Sequence, residues 1–181
     1  MTLPQVAIIT RTKDRPLFLQ RAMRSVLGQT FGDWVHVIVN DGGDSKMVDL
    51  LVEVQKEAYA GRVKVVHHAA SQGMQNASNA GLAAVDSTYA VIHDDDDSWY
   101  PDFLAKTVSF HEAEGPESLV QGVVTQTTQV MEEVTLSGQI EEFKRRPYYP
   151  FAFINLGELR RRNIFPPIAF LYRRAVHEKI G

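Results

Sequence analysis

Cysteine is absent from this chain of 181 residues, which excludes thiol nucleophiles, disulfides and thiolate zinc sites. Long apolar runs are absent too, and nowhere are there enough consecutive apolar residues to cross a bilayer. Positive charge is not in excess, because 19 lysine and arginine residues are outnumbered by 22 aspartate and glutamate residues. We therefore expect no nucleic-acid partner, and any metal site must use oxygen or imidazole ligands.

The N-terminal residues show no basic region followed by an apolar stretch, as a secretory signal would require. We therefore expect a cytoplasmic protein, with peripheral association at a membrane left open. The length suits one domain with a sizeable core, and no repeat or linker divides the chain. The sequence leaves an oligomer possible.

Short apolar runs alternate with helical spacing in the first half of the chain. Alternating strands and helices build a parallel sheet through right-handed crossovers, which predicts an α/β fold. The predicted strands cover residues 6–9, 35–39, 63–66 and 89–93, and the helices between them cover residues 16–27, 47–58 and 76–85.

The second half is less regular. We predict a helix over residues 102–111 and a pair of strands over residues 119–128 and 130–136. Residues 141–146 are a charged segment, and residues 147–151 form an aromatic loop flanked by proline.

Ligands of parallel sheets bind outside the carboxyl ends of the strands. That rule places residues 10–15, 40–44, 68–79 and 94–97 along one edge of the predicted sheet. All four segments are polar, acidic or glycine-containing. We therefore expect the ligand site at this edge.

Four consecutive aspartates follow the fourth predicted strand at residues 94–97. Adjacent carboxylates repel one another unless a positive group lies among them. A solvated acidic turn is one interpretation, and oxygen ligands for Mg²⁺ or Mn²⁺ beside a phosphate are the other, which the strand-end position favours. Carboxylates one residue apart on an extended backbone face the same way, so Asp94 and Asp96 are predicted to share one ion.

Asp41 ends the second predicted strand among turn-forming residues. A carboxylate held at a strand terminus is a candidate to bind a nucleobase or ribose, and a plain turn is the alternative. The loop at residues 10–15 offers hydroxyls and cations beside an expected diphosphate, and Asp14 is also a candidate helix cap.

Motifs in this order resemble the opening of family 2 glycosyltransferases, which bind nucleotide sugars. They are a strand followed by Thr12-Lys13-Asp14-Arg15, then Asn40-Asp41-Gly42, then Gln72-Gly73 with Asn79-Ala80-Gly81, and finally the aspartates followed by Trp99 and Pro101. The resemblance covers about the first 110 residues well and the rest loosely. It implies a GT-A fold: a Rossmann-like, three-layer sandwich with a mixed, mainly parallel central sheet. The single domain would comprise nucleotide-binding βα units at 1–111 and an incomplete acceptor-side portion at 112–181.

The resemblance also implies roles for matching residues. Arg11 and Lys13 lie where the family's first loop packs around the base, and Asp41 lies where an aspartate binds uracil. Asp95 and Asp96 fall on the DxD-type signature, with Asp96 the expected direct metal ligand and Asp94 or Asp95 meeting the ribose. With the hydroxyls and the aspartate of the first loop included, the predicted nucleotide-binding residues are Thr10, Arg11, Thr12, Lys13, Asp14, Asp41, Gly73, Asn79, Asp94 and Asp95.

The chain departs from the family pattern at two places. The first loop commonly carries proline, tyrosine and asparagine in family members, where this chain has Arg11, Lys13 and Asp14. An arginine often precedes the helical asparagine of the family, and here the residue is Ser78.

The implied function is transfer of a sugar from a UDP-sugar, with bound Mn²⁺ or Mg²⁺, to an unknown saccharide, lipid or protein acceptor with inversion. The sequence stops before the family motif that supplies the acceptor-activating carboxylate, so a UDP-binding module without turnover is the alternative. No catalytic base is assigned. The carboxylates that qualify by chemistry alone are Glu132, Glu133, Glu141, Glu142 and Glu158.

Two other enzyme classes are disfavoured. A nucleotidyltransferase would need a glycine-rich phosphate loop with a lysine after the first strand, and residues 10–15 contain no glycine. A dinucleotide oxidoreductase would need a Gly-x-Gly-x-x-Gly motif, and none follows a predicted strand.

Overall fold

Strands and helices alternate along the first two thirds of the chain, as the hydrophobic pattern predicts. The computed structural model describes residues 3–115, 118–148 and 154–180. The elements are β1 Val6–Thr12, α1 Pro16–Leu27, β2 Trp34–Asp41, α2 Ser45–Val54, α3 Lys56–Tyr59, β3 Val63–His68, α4 Met74–Ala83, β4 Tyr89–Ile92, α5 Phe103–Glu114, β5 Gly122–Val124, β6 Thr127–Val134, β7 Ile140–Tyr148, α6 Leu156–Leu159, a 3₁₀ helix Pro167–Ala169, β8 Phe170–Arg173 and α7 Ala175–Ile180.

One sheet with the strand order β3-β2-β1-β4-β8-β5 forms the centre of the described chain. β1 pairs in parallel with β2 and β4, and β2 pairs in parallel with β3. β8 runs antiparallel to β4 and β5, so the predicted mixed, mainly parallel sheet is confirmed. β2 and β4 lie on opposite sides of β1, and such a switch point opens a crevice at the carboxyl ends of the strands.

Helices cover both faces of this sheet, because β1 and β2 are apolar on both. Ile8 and Ile38 pack on the side of α1, α2 and α5. Ile9 and Val39 pack on the side of α4, which completes three layers. None of the helices in the described ranges combines the length and apolar character needed to cross a bilayer.

The second half differs from the prediction. β5 joins the main sheet beside β8, whereas β6 pairs with β7 in a separate hairpin, so the predicted strand pair at residues 119–128 and 130–136 is wrong. The charged segment at 141–146 lies within β7, because most of this strand is exposed and its pairing needs no apolar face. The loop predicted at 147–151 starts inside β7, and its last three residues lie outside the described residues.

A buried hydrogen-bond chain explains one further difference. The predicted second helix breaks at Gln55 into α2 and α3, which places the Tyr59 hydroxyl 2.8 Å from His36 Nδ1 in the core. His36 Nε2 is hydrogen-bonded to Thr10 Oγ1 at 2.8 Å. Thr10 is fully buried and its hydroxyl is engaged by His36, and its contact with a nucleotide stays a prediction.

Burial lowers the pKa of His36 to about 3, and the nearby His93 acts in the same direction. The unfolded chain takes up a proton at this residue near its ordinary pKa of about 6.5, so acid favours unfolding. We expect His36 to account for a loss of about 2 kcal/mol in the free energy of unfolding between about pH 7 and pH 5. Urea denaturation of the native chain and His36→Gln at both pH values measures this loss. Equal pH dependence in the two proteins would contradict it.

Candidate functional site

The carboxyl ends of β1 and β4 meet at one edge of the sheet, and side-chain bonds tie their loops together. Thr12 Oγ1 donates to Asp95 Oδ2 at 2.8 Å. Arg15 Nη1 lies 2.9 Å from Asp95 Oδ1, and the Asp95 side chain is only 4% exposed. Both oxygens of this buried carboxylate are therefore held by the loop at residues 10–15. This agrees with the prediction that residues 10–15 and 94–97 lie along the same edge of the sheet.

Two arginines supply the positive charge that adjacent carboxylates need. Arg11 Nε donates to Asp94 Oδ1 at 2.8 Å, and its Nη2 bonds the same oxygen. Arg11 Nη1 also donates to the backbone oxygen of Met74 at 3.2 Å. Arg15 Nη2 donates to Asp96 Oδ2 at 2.7 Å. The acidic run is thus neutralised in part by guanidinium groups.

The aspartate run is a turn and not an extended segment, because the Asp97 amide donates to the Asp94 carbonyl at 3.1 Å. Asp94 and Asp96 bind different arginines, so the expected extended backbone that would make them share a face is wrong. No group of three or more metal-ligating side chains converges anywhere in the described ranges.

The donor chemistry nevertheless fits a divalent ion. Each of Asp94 and Asp96 has one carboxylate oxygen engaged by an arginine and a second without a hydrogen bond to the described residues. Magnesium in phosphate sites is commonly held by one or two carboxylates together with substrate phosphates and waters. Oxygens from these two residues satisfy that requirement.

Asp41, the last residue of β2, organises the loop that follows β3. Its Oδ1 accepts from His68 Nδ1 at 2.8 Å and from the Gln72 amide at 2.8 Å. Its Oδ2 accepts from Ser71 Oγ at 2.7 Å and from the Gly73 amide at 3.0 Å. Burial alone would raise the pKa of Asp41, but these four donors outweigh it and hold the pKa well below its ordinary value.

Gly42 brings the two loops into contact. Its φ is +81°, and a Cβ built there would lie 2.4 Å from the Ser71 amide nitrogen and 2.7 Å from the Ala70 carbonyl carbon. Only glycine fits this combination of backbone angle and close approach. The turn after β2 therefore fixes the position of the loop that Asp41 holds.

Asp14 joins the first loop to the second and does not cap α1. Its Oδ1 accepts from the Asp44 amide at 2.9 Å, whereas the N-cap position of α1 is Arg15, without a side-chain bond to the helix. The predicted capping role is therefore wrong. Lys13 is exposed, and no ion pair among the described residues includes it.

The remaining predicted residues lie at the start of α4 and within it. Gly73 occupies the N-cap with φ +88°, and its amide is bound to Asp41. Asn79 is exposed on the same helix. Their contact with a nucleotide stays a prediction.

Arg15 and Arg21 were missed as site residues by the sequence reasoning. Arg21 on α1 donates through Nη1 to Glu132 Oε2 at 2.5 Å and through Nη2 to the Asp96 backbone oxygen. Arg15 was noted only within the family motif. No local pattern distinguishes such arginines from solvated ones, because their partners lie 75 to 111 residues away.

A cavity of about 680 Å³ lies between the aspartate turn and the β6–β7 hairpin. Of the carboxylates considered as bases, Glu132 and Glu142 line it. Asp97 also lines it, and burial raises its pKa to about 7, with Asp96 acting in the same direction. Asp97 can therefore hold a proton near neutral pH at the cavity wall.

The comparison with known families identifies the chain. The sequence profile of the family described as Glycosyl transferase family 2 matches residues 7–181. The chain belongs to glycosyl transferase family 2. An uncharacterized glycosyltransferase of Nostoc sp. is 34% identical over 104 residues, which are 58% of this chain and 32% of that protein. This family 2 chain therefore spans about a third of the length of that relative.

Solved structures establish the GT-A fold of this family 2 chain. Staphylococcus aureus TarS 1-349, solved in complex with UDP-GlcNAc, superimposes with a TM-score of 0.64 at 15% identity, covering 97% of this chain and 47% of that one. Mannosyltransferase PcManGT from Pyrobaculum calidifontis, solved with GDP-Man and Mn²⁺, has a TM-score of 0.58 at 19% identity, covering 68% of this chain and 36% of that one. The fold predicted from the sequence is confirmed.

Proposed function

We propose that this family 2 domain binds a UDP-sugar with Mn²⁺ or Mg²⁺ at the carboxyl edge of its sheet and transfers the sugar to a hydroxyl acceptor with inversion. The observation that carries the proposal is the linked set of loops at that edge. Arg11 binds Asp94, Arg15 binds Asp96, and Asp41 holds the loop that follows β3. Cationic side chains, carboxylates and a polar loop suited to a nucleobase meet there. TarS was solved with UDP-GlcNAc and PcManGT with GDP-Man and Mn²⁺, and these complexes support a nucleotide sugar as the ligand.

Within this proposal, residues 1–111 form the donor half. Arg11 and Arg15 bind the diphosphate oxygens, for which the planar guanidinium is well shaped. One oxygen each of Asp94 and Asp96 holds the divalent ion. When bound, that ion neutralises the diphosphate and so stabilises it as a leaving group.

The nucleobase is recognised at Asp41. All four in-plane acceptor positions of its carboxylate are filled by the loop after β3. Ser71 is the donor that can turn away most easily, because its hydroxyl rotates about one bond. That rotation would free Oδ2 to accept the imide N–H of uracil.

Residues 112–181 form the acceptor side. The cavity of about 680 Å³ borders Asp96 and is large enough for a saccharide unit or the head of a larger acceptor. Glu132 and Glu142 are the carboxylates from β6 and β7 on its wall. They are the candidates to accept the proton of the attacking hydroxyl.

Calorimetric titration of UDP in Mn²⁺, and then in EDTA, tests the donor site, with GDP and ADP as comparators. We expect metal-dependent binding of UDP that weakens at least about tenfold in Asp96→Ala, since a carboxylate ligand is lost. Asp33→Ala, an exposed aspartate at the amino end of β2, is the matched control and should bind normally.

If none of the three nucleotides binds, the donor site is refuted. UDP binding without hydrolysis or transfer from any UDP-sugar would instead support a binding module. A UDP-sugar hydrolysis assay separates such a module from a transferase.

A further inference from the structure

Arg15 and Arg11 neutralise the aspartate turn in different ways. The Arg11 side chain is 14% exposed and also binds the Met74 carbonyl, so it is held from two sides. The Arg15 side chain is 41% exposed, and its partner Asp96 is 47% exposed. Arg15 therefore covers the turn from the solvent side. Water weakens its pair with Asp96, and its second pair, at 2.9 Å, is with the buried Asp95.

We propose that Arg15 is a built-in counter-ion of the aspartate turn. When the ligands bind, its guanidinium gives up its bond to Asp96 and binds the diphosphate instead. The proposal rests on the donor site proposed above. In the ligand-free chain the guanidinium occupies Asp96 Oδ2 and Asp95 Oδ1, and so competes with a cation for the turn. Once a phosphate is present, the same fork-shaped group can bind two phosphate oxygens instead.

The exchange couples the two ligands. A cation that binds the turn must overcome the repulsion of Arg15, whereas the diphosphate draws Arg15 away and removes that repulsion. UDP therefore raises the affinity for the cation, and by linkage the cation raises the affinity for UDP by the same factor. Arg11 stays with Asp94 and takes no part in the exchange, because its extra bond to Met74 holds it.

The first test measures the affinity of the full chain for Mn²⁺ in the absence of nucleotide. The electron paramagnetic resonance signal of free Mn²⁺ reports how much of the ion is unbound at each step of the titration. Arg15→Gln removes one positive charge a few ångströms from the ion, which should tighten Mn²⁺ binding about tenfold. Arg15→Lys keeps the charge and should tighten it much less. Arg24→Gln, which removes an exposed arginine from α1, the helix that follows Arg15, should change nothing.

The second test repeats the Mn²⁺ titration with saturating UDP. The factor by which UDP tightens Mn²⁺ binding should be several-fold smaller in Arg15→Gln than in the native chain. Thermal melting of each variant shows that the compared proteins are folded.

The outcomes separate this proposal from the donor site itself. Mn²⁺ binding to Arg15→Gln that is no tighter than to Arg24→Gln, or no binding to either, overturns the counter-ion role. An unchanged UDP factor overturns the exchange. If the native chain binds Mn²⁺ but not UDP, the donor site fails while the first titration still decides whether Arg15 opposes the cation.

Discussion

Replacement of Asp41 by asparagine is expected to lower the free energy of unfolding by about 3 kcal/mol and to abolish UDP binding. The carboxylate accepts four hydrogen bonds, two of them from the amides of Gln72 and Gly73. In Asp41→Asn the new amide nitrogen faces donors, so at least one buried donor pair is left unsatisfied. Urea denaturation and the UDP titration measure the two effects.

The difference in stability between the native chain and Asp41→Asn should depend on pH in a defined way. The donors hold the pKa of Asp41 below its ordinary value in the folded chain. Its stabilising contribution is therefore complete above the unfolded pKa of about 3.9 and is lost as the pH falls through the folded value. Asp33→Asn, at an exposed aspartate, is the control. If both variants unfold at the same urea concentration near neutral pH, Asp41 does not organise the loop.

Replacement of Gly81 by valine is expected to destabilise the domain by about 3 kcal/mol. A Cβ at Gly81 would lie 2.3 Å from Ile9 Cγ2 and 3.0 Å from Val39 Cγ2, both on fully buried strand residues. The close-packed layer between α4 and the sheet cannot make room without shifting the helix. Urea denaturation at neutral pH gives the change in free energy.

Gly32→Val is the matched control, because a Cβ at Gly32 meets nothing within 4 Å. It should change the free energy of unfolding by less than about 0.5 kcal/mol. A similar loss in both variants would mean that α4 does not pack as closely as the Gly81 contacts indicate.

The sequence by itself determined most elements of the first two thirds of the domain and the sheet edge at which the candidate site is proposed. Val6 to Ile9 are apolar in succession, as is typical of a strand covered on both faces, and α1 repeats Leu19, Met23 and Val26 at helical spacing. These are local patterns. They also place the strand ends, within a few residues, and therefore the loops that carry Asp41 and the aspartates.

The depth of a residue along its strand was not readable in this way. The apolar run of β1 stops at Ile9, yet its ladder with β2 continues to Thr12. Thr10 therefore lies below the edge, bonded to His36, while Thr12 reaches the aspartate turn. Strand pairing through backbone hydrogen bonds does not depend on polarity, so it can extend past the hydrophobic signal.

Only the tertiary structure decided which charged groups meet. Arg11 and Asp94 are 83 residues apart in sequence and are brought together because β1 and β4 are neighbours in the sheet. β7 pairs with β6 although the side chains of β7 are mostly exposed and show no alternation of apolar and polar residues. Hydrophobic periodicity records the local burial of each element, whereas ion pairs and strand partners follow from the order of the strands, which no short segment encodes.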